Sequence, residues 1–258
     1  MYTLLCGQMD NAPDSLRVDV SSFAETPVCQ GDAVWLDGNT LIVGDQMRIC
    51  LLNLEVWGCV LPQYPQDTAI LSRNLATTIR HFQYSGRPGG LLISHNSNGL
   101  VEHTLTERLA VLTARLMNAI TCNDTAPALD CAKKLLGLGV GLTPSGDDFL
   151  VGLFTVLNMP ANPFSQFGEW CRQVAEAART RTNEISGVAL RQAAFGNVRE
   201  SVVQLVQAMA YESEGGIVDS LERVMNIGSS SGTDIVSGII HGFRASLAVP
   251  QVVNDGGI

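Results

Sequence analysis

The sequence lacks the residue spacings that usually bind structural metals. Its seven cysteines include no CxxC pair, and its four histidines include no HxH or HExxH motif. Zinc sites depend on such spacings, because two neighbouring ligands must reach one ion from the same turn or helix face. We therefore expect no structural metal site, and no motif in the chain calls for a resident cofactor.

Positive charge and long apolar runs are also scarce. The formal net charge is −9 at pH 7, and Lys and Arg form no cluster or stripe. A nucleic-acid partner is not expected, because binding to a phosphate backbone depends on such clusters. The chain has no charged-then-apolar signal sequence and no apolar run long enough to span a bilayer. The sequence therefore predicts a cytoplasmic protein without a membrane partner.

The chain shows two kinds of hydrophobic periodicity. Up to about residue 62, short apolar runs alternate with turn residues, and residues 33–36 and 40–43 flank a clear hairpin turn. Residues 1–6 and 48–60 are also predicted strands. From residue 63 onward, apolar residues recur at helical spacing. We therefore predict an α+β protein, with a strand-rich domain (a small antiparallel sheet or barrel-like) over 1–62 and a mainly helical domain over 63–258.

A glycine-rich stretch, GLGVGLTPSGDD at 137–148, lies in the middle of the helical part. The apolar run after it predicts a helix that is buried on all sides. Glycines let the backbone approach a ligand closely, and a helix N-terminus presents unpaired N–H groups and the positive end of the helix dipole. The stretch therefore predicts a phosphate or carboxylate site. Its candidate binding residues are Gly139, Gly141, Thr143, Ser145 and Gly146.

The same residues fit a structural alternative. Ser145 and Asp148 have the spacing of a capping box, and acidic residues in a first turn suit the helix dipole without any ligand. The stretch is not a Walker loop, because no Lys follows its last glycine, and it is not a GxGxxG motif. On this stretch alone both interpretations remain open.

A second copy of the pattern favours a functional site. Residues 145–153, SGDDFLVGL, recur as SGTDIVSGI at 231–239. Capping a single helix does not require so long a pattern. It predicts two similar loop–helix units whose N-termini face one pocket, with Gly152 and Gly238 allowing the two helices to approach closely. The second unit adds candidate binding residues Ser229, Ser231 and Gly232, and the candidate catalytic carboxylates of the two units are Asp147, Asp148 and Asp234.

The segment 179–186, RTRTNEIS, is another candidate for anion binding. Arginines beside hydroxyls suit a carboxylate or phosphate, which makes Arg181, Thr182 and Ser186 candidate binding residues. The alternative is a polar turn between helices, in which Ser186 or Thr182 caps the second helix.

Two further roles each have a structural alternative. His95, in the polar segment 94–99, has the chemistry of an acid or base, although a loop histidine is often only a surface residue. The aspartates of the two units are possible ligands for a divalent cation carried in with a phosphate. As carboxylates near helix N-termini they need no metal, and we favour that interpretation.

Three segments carry a resemblance to a known family. Residues 139–148, 182–186 (TNEIS) and 228–234 (GSSSGTD) are similar to the AllH-like (YlbF-like) family of bacterial proteins. The motifs are specific, and the resemblance covers roughly the C-terminal two-thirds of the chain, with the strand-rich start similar in outline. Thr233 stands where the first unit has Asp147, so the two units are not equivalent if both aspartates matter.

The resemblance implies a subunit of oxamate carbamoyltransferase, an enzyme of allantoin degradation that cleaves oxalurate with phosphate to give oxamate and carbamoyl phosphate. It also implies partner subunits, one of them similar to acyl-CoA synthetases. All of these substrates are small anions, which suit paired helix N-termini. Two alternatives remain: a non-catalytic subunit whose loops pack or bind a regulatory anion, and an enzyme acting on another small carboxylate or amide.

Overall fold

A computed structural model describes residues 1–24, 26, 28–92 and 100–249, with only the backbone described at 100–102 and 214. The chain divides into two compact units, one ending at Gly58 and the other beginning at Cys59. The described residues of the first unit form short strands, and those of the second form helices. The predicted α+β class, with a strand-rich start followed by a mainly helical part, is confirmed.

The first unit contains two small sheets. Strands β1 (Thr3–Cys6) and β2 (Ser15–Val18) pair in parallel. Strands β3 (Val34–Asp37), β4 (Thr40–Val43) and β5 (Met47–Cys50) form an antiparallel sheet in chain order. The predicted hairpin is therefore confirmed as β3–β4, and the sequence pattern did not reveal the parallel pair.

The predicted strand over 48–60 is much shorter than its pattern indicated. Strand β5 ends at Cys50, and Asn53 has φ 58°. That left-handed conformation interrupts an extended strand. Leu52 and Leu54 are exposed over 59% and 51% of their surface. The alternation of apolar residues in this segment therefore does not mark the buried face of a sheet.

The second unit is built from helices joined by short loops. They are α1 (Ala69–Ser85), α2 (Leu100–Thr121), α3 (Thr125–Leu135), α4 (Ser145–Leu157), α5 (Gly168–Ala178), α6 (Glu184–Ala193), α7 (Glu200–Tyr211), α8 (Glu214–Met225) and α9 (Ser231–Ala248). A single 3₁₀ turn, Ser165–Phe167, precedes α5 within the described residues. None of the helices in the described part of the chain combines the length and the apolar composition needed to cross a membrane.

Helix α4 lies at the centre of this unit. All 13 of its residues are buried, which confirms the prediction of a helix buried on all sides. Helix α9 packs against it where both helices carry a glycine. A Cβ atom on Gly152 would lie 2.0 Å from the Ile235 carbonyl oxygen, and one on Gly238 would lie 2.0 Å from the Phe149 carbonyl oxygen. The two backbones therefore touch, and they can do so only because these two residues have no side chain.

Candidate functional site

The loop between α3 and α4 folds back over the start of α4. Gly139 has φ +143°, and a Cβ atom there would lie 2.3 Å from the Ser145 nitrogen. At Gly146, a Cβ atom would lie 2.1 Å from the Leu135 carbonyl oxygen. Gly141, with φ +91°, would meet nothing within 4 Å. Close packing therefore requires glycine at 139 and 146, whereas Gly141 lies on the open side of the loop.

Hydrogen bonding determines which N–H groups of this loop remain open. The Gly146 N–H donates to the Leu138 carbonyl at 2.8 Å, and the N–H groups of the next two residues donate to the Pro144 carbonyl. Within the described residues, the N–H groups of 139–143 donate no hydrogen bond. The open donors therefore lie mainly on the loop before the helix, because the N–H groups of residues 146–148 in the first turn of α4 already have acceptors.

Ser145 does not cap the helix. Helix α4 begins at Ser145 itself, the N-cap position falls on Pro144, and no side chain caps this end within the described residues. Pro144 has φ −55° and ψ 140°, so the chain turns into the helix one residue earlier than the capping-box pattern indicated. The capping-box interpretation of Ser145 and Asp148 is therefore wrong, although both side chains are buried.

Asp147 holds the loop in place. Its Oδ1 atom accepts a hydrogen bond from the Gly137 N–H at 2.9 Å, and its Oδ2 atom accepts one from the Thr182 hydroxyl. Burial raises the pKa of Asp147, and these two hydrogen bonds oppose the rise. Both oxygens of this carboxyl are therefore bonded. They join α4 to the start of the loop between α3 and α4 and to the loop before α6.

The second loop–helix unit repeats this arrangement with different partners. A Cβ atom on Gly232 would lie 1.8 Å from the Val224 carbonyl oxygen at the end of α8. A Cβ atom on Gly146 would likewise lie close to the Leu135 carbonyl at the end of α3. Thr233 occupies the position of Asp147, and its hydroxyl likewise accepts a backbone N–H, here that of Arg87 at 3.0 Å. The Leu91 N–H donates to Asp234 Oδ1 at 2.8 Å.

The two units meet at their N-terminal ends. The Thr143 and Ser231 hydroxyl oxygens lie 2.6 Å apart. The Ser231 hydroxyl lowers the pKa of Asp148, and the Ser145 hydroxyl lowers the pKa of Asp234. Each aspartate therefore interacts with the first residue of the opposite helix. The prediction that the two units lie side by side is confirmed.

Burial dominates the electrostatics of the facing carboxyls. It raises the pKa of Asp148 from 3.8 to about 8. A hydrogen bond from the Ser231 hydroxyl lowers this pKa, and repulsion by the Asp234 charge raises it further. Burial raises the pKa of Asp234 to about 6, against hydrogen bonding from the Leu91 N–H. At neutral pH, Asp148 is therefore mostly protonated and Asp234 mostly ionised.

One oxygen of each of these carboxyls is left over. Asp148 Oδ2 and Asp234 Oδ2 are buried and have no hydrogen-bond partner among the described residues. Asp147, in the same turn of α4, uses both of its oxygens. Unpartnered buried polar atoms are rare in native proteins, so this pair of oxygens requires an explanation.

The remaining predicted residues lie around this cluster with different degrees of burial. Thr182 contacts Asp147, as described, and Arg181 is exposed and touches the loop through its carbonyl group beside Gly137. Ser186 is buried, and its N–H donates to Asn183 Oδ1 at 3.1 Å. Asn183 is thus the N-cap of α6, and the interpretation of Ser186 or Thr182 as that cap is wrong.

The second unit's Ser229 is exposed on the loop before α9. His95 lies outside the described residues. Within the residues that the structure does describe, no group of three or more His, Cys, Asp or Glu side chains is placed to hold a metal ion.

The sequence analysis missed four residues of the site. Asn183 Nδ2 donates to the Leu142 carbonyl at 2.8 Å and so ties the glycine loop to α6. The segment from Arg87 to Leu91 covers the start of α9, and a Cβ atom on Gly90 would lie 2.2 Å from Asp234 Oδ2. The glycines at 86, 89 and 90 are typical of a turn, but no local pattern shows where that turn packs.

The fold and the site define an α+β protein with a duplicated loop–helix unit and a pair of buried carboxyls between the copies. Two models of one family match the chain, the AllH family N-terminal domain over residues 1–56 and the oxamate carbamoyltransferase subunit AllH over residues 135–243. The chain belongs to the AllH family, and both loop–helix units fall within the second match. No solved structure matches the chain significantly.

Proposed function

We propose that this chain is a subunit of oxamate carbamoyltransferase and that it supplies the reaction site. At that site, oxalurate and phosphate are interconverted with oxamate and carbamoyl phosphate. The reaction belongs to allantoin degradation and takes place in the cytoplasm. Membership of the AllH family supports the enzyme. The observation that carries the role of the site is Asp148. It is a buried, mostly protonated carboxyl with a free oxygen, next to a loop with open N–H groups.

The open N–H groups of 139–143 suit an anionic group of the substrate. Backbone donors on a glycine loop, next to the positive ends of two helices, stabilise phosphate or carboxylate without a full positive charge. Gly141 leaves the open side of this loop unobstructed. The backbone carbonyl of the exposed Arg181 lies beside Gly137, at the start of the same loop.

The chemistry needs one proton transfer that the carboxyl pair can perform. A phosphate oxygen attacks the terminal carbamoyl carbon of oxalurate, a C–O bond forms, and the C–N bond to the oxamate nitrogen breaks. The electron pair stays on that nitrogen, which needs a proton to leave as the amide of oxamate. Phosphate loses one proton in the same reaction, so the number of protons is balanced. Asp148, which is protonated at neutral pH, donates the proton to the departing nitrogen. Asp234, which is mostly ionised, stabilises this proton transfer.

A second role has one observation in its favour. Val140 and Leu142, at the tip of the glycine loop, are exposed over 71% and 74% of their surface. Exposed apolar side chains in a subunit suit contact with a partner chain. In this alternative the loop binds an anion or packs against the partner, such as the acyl-CoA-synthetase-like subunit implied by the family, and that partner carries the chemistry.

Reconstitution separates the two roles. The purified chain, alone and with its partner subunits, is assayed for carbamoyl phosphate formation from oxalurate and phosphate by ³¹P NMR. The catalytic role predicts that Asp148→Asn in the reconstituted enzyme removes activity while assembly, followed by gel filtration, is retained. Full activity of the assembled variant assigns the chemistry to a partner.

A further inference from the structure

Two carboxyl oxygens of the site lack a hydrogen-bond donor among the described residues. Asp148 Oδ2 and Asp234 Oδ2 are buried without a hydrogen-bond partner in the described part of the chain, in residues that are 6% and 1% exposed. Leaving a buried acceptor unsatisfied destabilises the folded protein, because the oxygen loses its water without gaining a partner. Asp147 shows that a carboxyl in this turn can be fully satisfied, since both of its oxygens are bonded.

The two free oxygens belong to one place in the fold. Asp148 lies beside Ser231, the first residue of α9, and Asp234 lies beside Ser145, the first residue of α4. Thr143 and Ser231, whose hydroxyl oxygens are 2.6 Å apart, close one side of the cluster. The site thus offers two acceptors, surrounded by hydroxyls that can donate or accept.

The chemistry of these atoms selects one kind of ligand group. A phosphate or carboxylate group at these two oxygens would face the charge of Asp234, and the single proton of Asp148 would be its only donor there. A cation would face the positive ends of α4 and α9, which disfavour it. A primary amide nitrogen carries two N–H donors and no net charge, so it can donate to both oxygens. The open N–H groups of 139–143 remain for the anionic part of the same molecule.

We propose that Asp148 and Asp234 determine specificity by together accepting the two N–H groups of the oxamate amide, so that the site selects an amide nitrogen over a carbon or an anionic oxygen at that position. This inference rests on the proposed function, because it takes oxamate as the substrate. It also fits the reaction. After donating its proton to the departing nitrogen, Asp148 is a carboxylate and therefore an acceptor for the amide that it has just formed.

Pyruvate tests the inference because it has the shape and the carboxylate of oxamate, with a methyl group in place of the amide nitrogen. Isothermal titration calorimetry at pH 9, where Asp148 is mostly ionised and can accept, measures both ligands on the purified chain and again on the chain with its partner subunits. The expected result is that oxamate binds at least about tenfold more tightly than pyruvate, since pyruvate leaves two buried acceptors unpaired. In Asp148→Asn and Asp234→Asn the ratio of the two affinities falls towards one.

Asp130→Asn is the control, because it removes an exposed carboxylate of α3 that pairs with Lys134 and is not part of the site. Both ligands carry the same charge, so a general electrostatic effect cancels in the ratio, and this variant keeps the wild-type ratio. The proposal is overturned if wild type binds the two ligands equally, if neither ligand binds to the chain or the complex, or if folded Asp148→Asn and Asp234→Asn keep the ratio.

The comparison of ligands on the wild-type protein decides the matter even if a variant fails to fold. It also needs no turnover. A preparation that transfers carbamoyl groups but binds pyruvate as well as oxamate refutes this inference and leaves the proposed function standing. A preparation that selects oxamate but does not transfer, even with its partners, refutes the proposed catalytic role alone.

Discussion

The hydroxyl oxygens of Thr143 and Ser231 lie 2.6 Å apart, although the two residues are 88 positions apart in the chain. Thr143 belongs to the loop before α4, and Ser231 is the first residue of α9. Their contact fixes the two loop–helix units with their N-terminal ends together. As a result, the carboxyls of the first turns of both helices are enclosed in one polar cluster.

Stability is expected to depend on pH through Asp148. Its pKa is about 8 in the folded protein and 3.8 without burial, so the folded state binds more protons between these values. The stabilising contribution is therefore complete below about pH 4 and is lost as pH rises through 8. Thermal melts of wild type and Asp148→Asn should diverge steadily between pH 4 and 8, with the variant gaining relative stability. Parallel curves would contradict the buried carboxyl.

Asp234→Asn provides an internal comparison for this effect. Its pKa of about 6 in the folded protein limits the window, so the difference from wild type should grow between about pH 4 and 6 and then level off. If the difference in stability between Asp234→Asn and wild type continues to grow up to pH 8, the pKa of Asp234 is not below that of Asp148.

Activity is expected to separate Asp148 from a merely structural residue. Asn keeps the shape of the side chain and removes a costly buried acid, so the melting temperature of Asp148→Asn at pH 7 should be equal to or above that of wild type. Carbamoyl transfer by the reconstituted enzyme should fall about 100-fold or more, the scale of a lost general acid. Asp234→Asn should lose less activity, because one of its oxygens is held by the Leu91 N–H.

The control for that assay is Asp130→Asn. Asp130 is exposed on α3 and pairs with Lys134 at 2.7 Å. An exposed pair of this kind contributes little to stability, so both activity and melting temperature should stay at wild-type values. Wild-type activity in Asp148→Asn, measured beside this control, would return Asp148 to a structural role.

The glycine loop offers a test in which folding and binding separate. Gly146→Ala places a Cβ atom against the Leu135 carbonyl and should destabilise the fold by about 1–3 kcal/mol or more. Gly141→Ala meets no atom but strains a positive φ, at a cost of about 1–2 kcal/mol. Because the loop N–H groups depend on that conformation, Gly141→Ala should remain folded and bind phosphate more weakly by calorimetry. Undiminished binding would move the anion site elsewhere.

The crossing of α4 and α9 is expected to tolerate no side chain at its two glycines. Gly152→Ala and Gly238→Ala each bring a Cβ atom to about 2.0 Å from a carbonyl of the other helix, so each should lower the free energy of unfolding by about 1–3 kcal/mol or more in urea melts. Gly215→Ala on α8 meets nothing within 4 Å and should stabilise by up to about 1 kcal/mol. Equal stability of all three would refute the close crossing.

Local patterns in the sequence predicted most of the secondary structure and the repeated unit. The hairpin of β3 and β4 follows from turn residues between alternating apolar positions, and the burial of α4 follows from an apolar run without a polar face. The pattern failed at 48–60, where alternation continued beyond Asn53 although the backbone there leaves the extended conformation. Periodicity records side-chain character and does not record a break in the backbone.

The sequence by itself also determined that two Ser-Gly-x-Asp segments exist and that glycines allow their helices to touch. Only the tertiary structure decided how the three aspartates differ. Asp147 is satisfied by Gly137 and Thr182, whereas Asp148 and Asp234 each keep one free buried oxygen. The reason is that a hydrogen bond to a buried carboxyl comes from whichever segment packs over it, and for Asp234 that segment is 143 residues away at Leu91. No local spacing encodes such a contact.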